Sequence, residues 1–177
     1  MNKTGQRGFT ALELIVTMAV VAILLSMSVP AFKNYGFNIR MKTAMEVLQS
    51  DLKLARGNAI SHNIHTIICP TRNGLDCSGQ SAWQNGWMVF TDLNSDRTKQ
   101  QTEPLLKHSG ELELLSITSP NSRNKLRFLP NGSAPGSNVS ILFCDQRGAS
   151  KAGIITISNS GRIRLQNNGS EPSEICP

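Results

Sequence analysis

The stretch MNKTGQRGFTALELIVTMAVVAILLSMSV, residues 1–29, decides how the rest of the chain is read. Its first eight residues are polar and carry Lys3 and Arg7; the 21 residues from Phe9 to Val29 are then almost wholly apolar. As a helix those 21 residues span roughly 31 Å, about one hydrocarbon core. The cationic stub is expected to stay cytoplasmic, with the remainder of the chain on the other side. No Ala-x-Ala-type cleavage site follows the apolar run, as it does in an ordinary signal peptide; Pro30-Ala31-Phe32-Lys33 comes next. Glu13 breaks the pattern, because a carboxylate inside an apolar span costs a few kcal/mol by mild insertion scales, about 3. It either snorkels to the interface or meets a cation within an assembly.

Pro30 can bend the helix without ending it. Beyond it Met41, Met45, Leu48, Leu52, Ala55 and Ala59 recur at alternating steps of four and three, one apolar helical stripe. Lys42, Glu46, Gln49, Lys53 and Arg56 fall largely on the other side. The expectation is one long helix from about residue 9 to 61, with an apolar half (9–30) and an amphipathic half (31–61). Short strand-like runs follow at 64–69, 86–91, 111–115, 125–129, 139–144, 154–157 and 162–165, with turn signals at Asn131-Gly132 and Asn159-Ser160-Gly161. Consecutive short strands imply antiparallel sheet packed on the helix, an α+β domain over 62–165, with an irregular tail over 166–177.

With 177 residues and 39% hydrophobic content there is room for one cored domain plus an appended helix. Lys and Arg number 18 against 12 Asp and Glu. The excess is concentrated: between Pro120 and Leu165 stand Arg123, Lys125, Arg127, Arg147, Lys151, Arg162 and Arg164, opposed only by Asp145. In Arg162-Ile163-Arg164-Leu165 the period-two alternation puts both arginines on one face of a strand, about 6.6 Å apart, close to the spacing of successive phosphates. Lys125 and Arg127 repeat this around Leu126, and Arg147 and Lys151 flank the small loop Gly148-Ala149-Ser150. By charge alone, a solvated face or a subunit contact serves as well as an anionic polymer. Aromatic residues are only 5%, and Phe128 and Phe143 sit in core-like positions, so few stacking platforms exist for single strands. Trp83 and Trp87 read as fold residues.

Enzyme signatures are missing. There is no Gly-x-Ser-x-Gly elbow, phosphate-binding glycine loop or His-Glu-x-x-His, and His62, His65 and His108 belong to no motif. No Cys/His spacing suggests zinc, and no cofactor is expected. Asp92, Asn94, Asp96 and Glu103 match positions 1, 3, 5 and 12 of a calcium-loop count, but Arg97 occupies the glycine position, so an Asp/Asn-rich turn is the simpler reading.

Gly8-Phe9-Thr10-Ala11-Leu12-Glu13-Leu14 resembles the class III signal of type IV pilins and type II secretion pseudopilins. The resemblance implies cleavage after Gly8 by a prepilin peptidase, N-methylation of Phe9, and pairing of Glu13, fifth in the mature chain, with the terminal amine of a neighbouring subunit. It implies a single-pass inner-membrane protein with its domain in the periplasm that assembles with other pilins into an extracellular fibre. Such a compartment is oxidising, so the four cysteines can form two disulfides. Three pairings are possible; the shortest loop favours Cys69–Cys77, which leaves Cys144–Cys176.

Three further runs are similar to the FimT/GspH group of minor pilins and pseudopilins: Ala55-Arg56-Gly57-Asn58-Ala59-Ile60, Ile67-Ile68-Cys69-Pro70 and Trp83-Gln84-Asn85-Gly86-Trp87-Met88-Val89-Phe90-Thr91-Asp92. Gly161-Arg162-Ile163-Arg164 resembles the Gly-Arg-x-Arg signature of FimT proteins from DNA-uptake pili. That likeness implies non-specific binding of double-stranded DNA through Arg162, Arg164, Lys151, Arg147, Lys125 and Arg127, with Gly161 shaping the turn, in natural transformation. The alternative is a structural minor pilin or GspH-like pseudopilin that initiates or caps a fibre without binding DNA.

Overall fold

The computed structural model describes residues 10–167 and Cys176, without the side chains of Met27, Pro30, Ala31 and Asn167. The leader, Gly8, Phe9 and nearly all of the tail beyond Asn167 lie outside the described residues. Two compact units are present, one reaching to Ile39 and one from Arg40 onward.

Helix α1 runs Ala11–His62 and passes through Pro30 unbroken. Thr10 caps it: its Oγ1 accepts the N–H of Glu13 at 3.2 Å, satisfying one of the four donors a helix start leaves open. Glu13 itself, in the first turn, sets a negative charge at the positive end of the helix dipole. In this first unit the apolar side chains face outward; Leu12, Ile15, Met18, Ile23 and Leu25 are each more than half exposed. The hydroxyls of Thr17, Ser26 and Ser28 donate to the carbonyls of Leu14, Ile23 and Leu24. Counted over the described side chains, no helix is long and apolar enough to cross a membrane; the run read from sequence includes Phe9 and Met27, which are not among them.

In the second unit the expected stripe is the core. Met41, Met45, Leu48, Leu52, Ala55 and Ala59, with Ala44, are buried against two four-stranded antiparallel sheets. The first sheet has the order β3-β2-β1-β5, with β1 His65–Pro70, β2 Trp87–Asp92, β3 Leu105–Ser109 and β5 Leu126–Phe128. The second has the order β4-β6-β7-β8, with β4 Ser116–Thr118, β6 Val139–Cys144, β7 Gly153–Ile157 and β8 Ile163–Asn167. Alternation decides which side chains face the helix. Ile68, Val89, Leu126 and Phe128 do so from the first sheet, and Val139, Ile141, Phe143, Ile155 and Ile157 from the second. Both tryptophans belong to this core: Trp83 Nε1 donates to Ser119 Oγ, and Trp87 Nε1 to Asp51 Oδ2 at 2.7 Å.

One strand expectation is corrected, and one strand, β3, was not expected. Residues 111–115 form no strand, although Glu and Leu alternate there. Leu114 takes a left-handed backbone at φ 64°, the chain turns at 113–114, and β4 begins only at Ser116. Leu112 and Leu115 pack on the core at a spacing of three, which suits a turn and defeats a period of two. Strand β3 has no alternation of its own; it forms because β2 offers an edge, and it pairs Trp87 with Ser109 and Phe90 with Leu105 across a bulge.

Cys69 pairs with Cys77 and Cys144 with Cys176. The second bond holds Cys176 over the outer face of the second sheet, beside Leu142, Ala152 and Ile154.

Candidate nucleic-acid interface

The β7–β8 turn is fixed before its arginines come into play. Ser158 N donates to the Arg162 carbonyl at 3.0 Å, Gly161 N to the Ser158 carbonyl at 2.8 Å, and Arg162 N to Ser158 Oγ at 3.3 Å. Gly161 is buried and left-handed at φ 75°; a Cβ there would overlap the carbonyl oxygen of Gly132. Gly132 belongs to the Asn131-Gly132 turn after β5, and Ala134 N ties the two turns together by donating to the Asn159 carbonyl at 2.8 Å. Gly161 is required by conformation and by space, and Gly132 by its left-handed backbone at φ 76°.

From this seat Arg162 and Arg164 emerge exposed. In β8, Ile163 and Leu165 lie opposite Ile157 and Ile155 and pack on the core, so Arg164 faces outward beside Thr156 and Ser140. Sequence alternation therefore places Arg164 on the outer face of β8, and Arg162, just before the strand, is exposed.

The other cations are not gathered there. Arg147 is turned onto Asp145: Nη2 reaches Oδ2 at 2.6 Å and Nε lies 3.0 Å from both carboxylate oxygens. The Asp145 side chain is 1% exposed and that of Arg147 15%. Burial pushes the Asp145 carboxyl up, but hydrogen bonds from the Arg147 side chain and backbone, with its charge, outweigh that and hold it below the usual range. Lys151 is exposed at the end of a single helical turn, Ala149–Lys151. Arg147 and Lys151 sit in the β6–β7 loop, at the opposite end of β7 from Arg162. Five residues of strand intervene, roughly 17 Å.

Lys125 and Arg127 are in the other sheet. Lys125 Nζ donates to the Arg97 carbonyl at 3.1 Å, and half-buried Arg127 is opposite Ile67 on the face away from the helix. Arg123, also partly buried, ends a helical turn at Asn121–Arg123.

The loop from Asp92 to Glu103 turns its carboxylates inward, although the buried Asp92 Oδ1 meets no donor among the described residues. Glu103 accepts from the backbone of Leu93 and Gln100, Asp96 from Thr98 N, and Asp92 Oδ2 from Arg97 N. Among the described residues no three His, Cys, Asp or Glu side chains are grouped to hold a metal ion.

One cation that belongs with the site was not expected there. Arg56 Nε donates to the Gly132 carbonyl at 2.9 Å, and its guanidinium lies against Gly161, with Nε 3.1 Å from where a Cβ would be. On the helical wheel it reads as an ordinary solvated cation. The only hint in sequence is its place beside Ala55 on the flank of the buried stripe.

A long N-terminal helix whose second half packs on antiparallel sheet defines a type IV pilin-like fold. A family model described as type II transport protein GspH matches residues 44–161, and a second, described as the prokaryotic N-terminal methylation motif, matches residues 3–29. The chain belongs to the GspH family of minor pilins and pseudopilins. Two crystal structures of the type IV minor pilin FimU from Pseudomonas aeruginosa PAO1 share its fold. In space groups P21 and P65 they give TM-scores of 0.56 and 0.55, each at 23% identity over 77% of this chain and 92% and 96% of theirs.

Proposed function

We propose that this protein is a minor pilin that binds extracellular double-stranded DNA, without sequence preference, during natural transformation. The observation that carries the reading is the pair Arg162 and Arg164, both exposed and both following a turn whose seat, Gly161, is buried. Contact would be through phosphates, which position but do not specify. Lys151, Lys125 and Arg127 extend the surface as separate, weaker points. Arg147 contributes little while Asp145 holds it.

Several features support the route to the fibre. The methylation motif matches residues 3–29, which include Gly8, Phe9 and Glu13, the residues at which we place cleavage, methylation and assembly contact. Prepilin peptidase and other pilins are accordingly its partners, with Glu13 meeting the terminal amine of a neighbour. A single pass through the inner membrane before assembly is supported by the outward-facing apolar side chains of α1. It is also supported by the three hydroxyls there that bond to their own helix backbone, as polar groups in lipid must.

A second reading, a structural pseudopilin that starts or caps a fibre, draws on the GspH family itself and on the Arg147–Asp145 pair, which removes one cation from the surface. The test titrates the full-length chain in nonionic detergent against a labelled duplex at several salt concentrations, beside Arg162→Ala/Arg164→Ala. Binding that weakens with salt and is largely lost in the folded double variant upholds DNA capture. No binding by the wild type at low salt hands the basic face to a neighbouring subunit.

A further inference from the structure

We infer that Arg56, more than a hundred residues before the arginine pair in sequence, is a third phosphate-contacting residue of the same site. The inference rests on the DNA-binding reading and adds a residue to it. A guanidinium carries five N–H donors. Arg56 commits Nε–H to the Gly132 carbonyl, and among the described residues no protein acceptor takes its two terminal nitrogens. Those nitrogens form the fork that matches two oxygens of one phosphate. The group is partly buried, pinned at Nε and laid against Gly161, immediately before Arg162.

This gives the three arginines different work. Arg162 and Arg164 are exposed side chains that lose conformational freedom when they close on a phosphate. Arg56 has surrendered most of that freedom in folding, so its contact is preorganised. The bareness of Gly161 then has a second consequence: with no side chain over the guanidinium, a phosphate that reaches Arg162 can also reach Arg56. A side chain at 161 would block that approach as well as the turn.

The experiment measures binding of a duplex to the full-length chain in nonionic detergent as a function of salt. Each neutralised phosphate contributes about 0.9 to the slope of log K against log salt, which is about 3.5-fold in affinity between 50 and 200 mM. Arg56→Gln is expected to lower the slope by about 0.9, and Arg56→Lys, which keeps the charge, to retain it. A glutamine variant with weaker binding but the wild-type slope overturns the inference, because Arg56 then acts only by holding the turn.

The second measurement needs no folded variant. In wild-type protein labelled at arginine Nε, the Nε–H resonances of Arg56 and Arg162 should shift together as duplex is added, with one Kd. A shift at Arg162 with none at Arg56 overturns the inference and leaves DNA binding standing. No shift at either overturns the DNA reading and this inference with it.

Discussion

Two turns close the second sheet, one at each end of β7, and each carries a glycine and two cations. In the β6–β7 loop, Arg147 folds back on Asp145, two residues before it, and spends its charge inside the protein. In the β7–β8 turn the glycine is buried and both arginines face solvent. The difference lies in what each turn is built from. The first adds an ion pair to its backbone bonds, so its arginine is a structural part. The second is held by backbone bonds and by Gly132, so its arginines are free for an outside partner. Net charge along a sequence counts both turns alike; the second leaves both of its arginines exposed, while the first exposes Lys151 and turns Arg147 inward.

The largest effect should come from breaking the seat of the second turn. Gly161→Ala forces a non-glycine residue into a left-handed conformation and drives its Cβ into the Gly132 carbonyl. Strain and overlap together should cost about 3 kcal/mol. Thermal unfolding of oxidised protein should show Tm lowered by about 6–12 °C, with duplex binding lost in parallel. An unchanged Tm would mean that the turn can shift away from Gly132 and that the seat is not rigid.

Breaking the first turn should cost somewhat less. Asp145→Ala removes the carboxylate on which a mostly buried guanidinium is folded; because Arg147 keeps some exposure, the expected loss is about 2 kcal/mol, below that of a fully buried pair. The same pair sets a pH dependence. The folded-state value of the Asp145 carboxyl lies below its unfolded value, so its stabilisation is complete above about pH 4. It is lost as pH falls through the folded-state value. The gap in Tm between wild type and Asp145→Ala should therefore be widest near neutral pH and shrink below about pH 4. A gap that persists unchanged into acid would show that the aspartate acts through packing alone.

Against those costs, Arg162→Ala/Arg164→Ala should leave stability within about 0.5 kcal/mol, since neither side chain holds the fold. The salt slope of DNA binding should fall by about 1.8, two phosphates' worth. Function without stability at one turn and stability without function at the other is the separation that this double variant and Asp145→Ala together test.

The helix and its buried stripe were legible because a period of 3.6 repeats over many residues from Met41 to Ala59. Strands β1, β2, β5, β6, β7 and β8 were legible to within a residue or two from alternation and turn residues. The segment at 111–115 misled because Glu-Leu alternation satisfies the strand pattern while Leu114 adopts a turn conformation that sequence does not announce. At the site, Arg162 and Arg164 could be placed because their neighbours Ile163 and Leu165 declare which face is core. Arg147 could not, since its partner is chosen by the shape of the loop. Arg56 could not either: its bond to Gly132 joins residues 76 apart, and its place beside Ala55 on the flank of the buried stripe does not name that partner.

The smallest effect is expected at Lys151, and it decides whether the basic surface is one site or several. Lys151 is exposed, so Lys151→Ala should leave Tm unchanged within about 0.5 kcal/mol. Its nearest cation in the loop, Arg147, is neutralised by Asp145, and the arginine pair lies roughly 17 Å away, about two Debye lengths at physiological salt. A lone surface lysine at that distance gains little from the field of the other turn. Its removal should lower the slope by about 0.5 or less, well under the effect of the arginine pair. A drop as large as that of Arg162→Ala/Arg164→Ala would mean that the duplex lies along the whole sheet and that the contrast between the two turns ends at stability. A small drop leaves the β7–β8 turn, with Arg56 behind it, as the place where DNA is held.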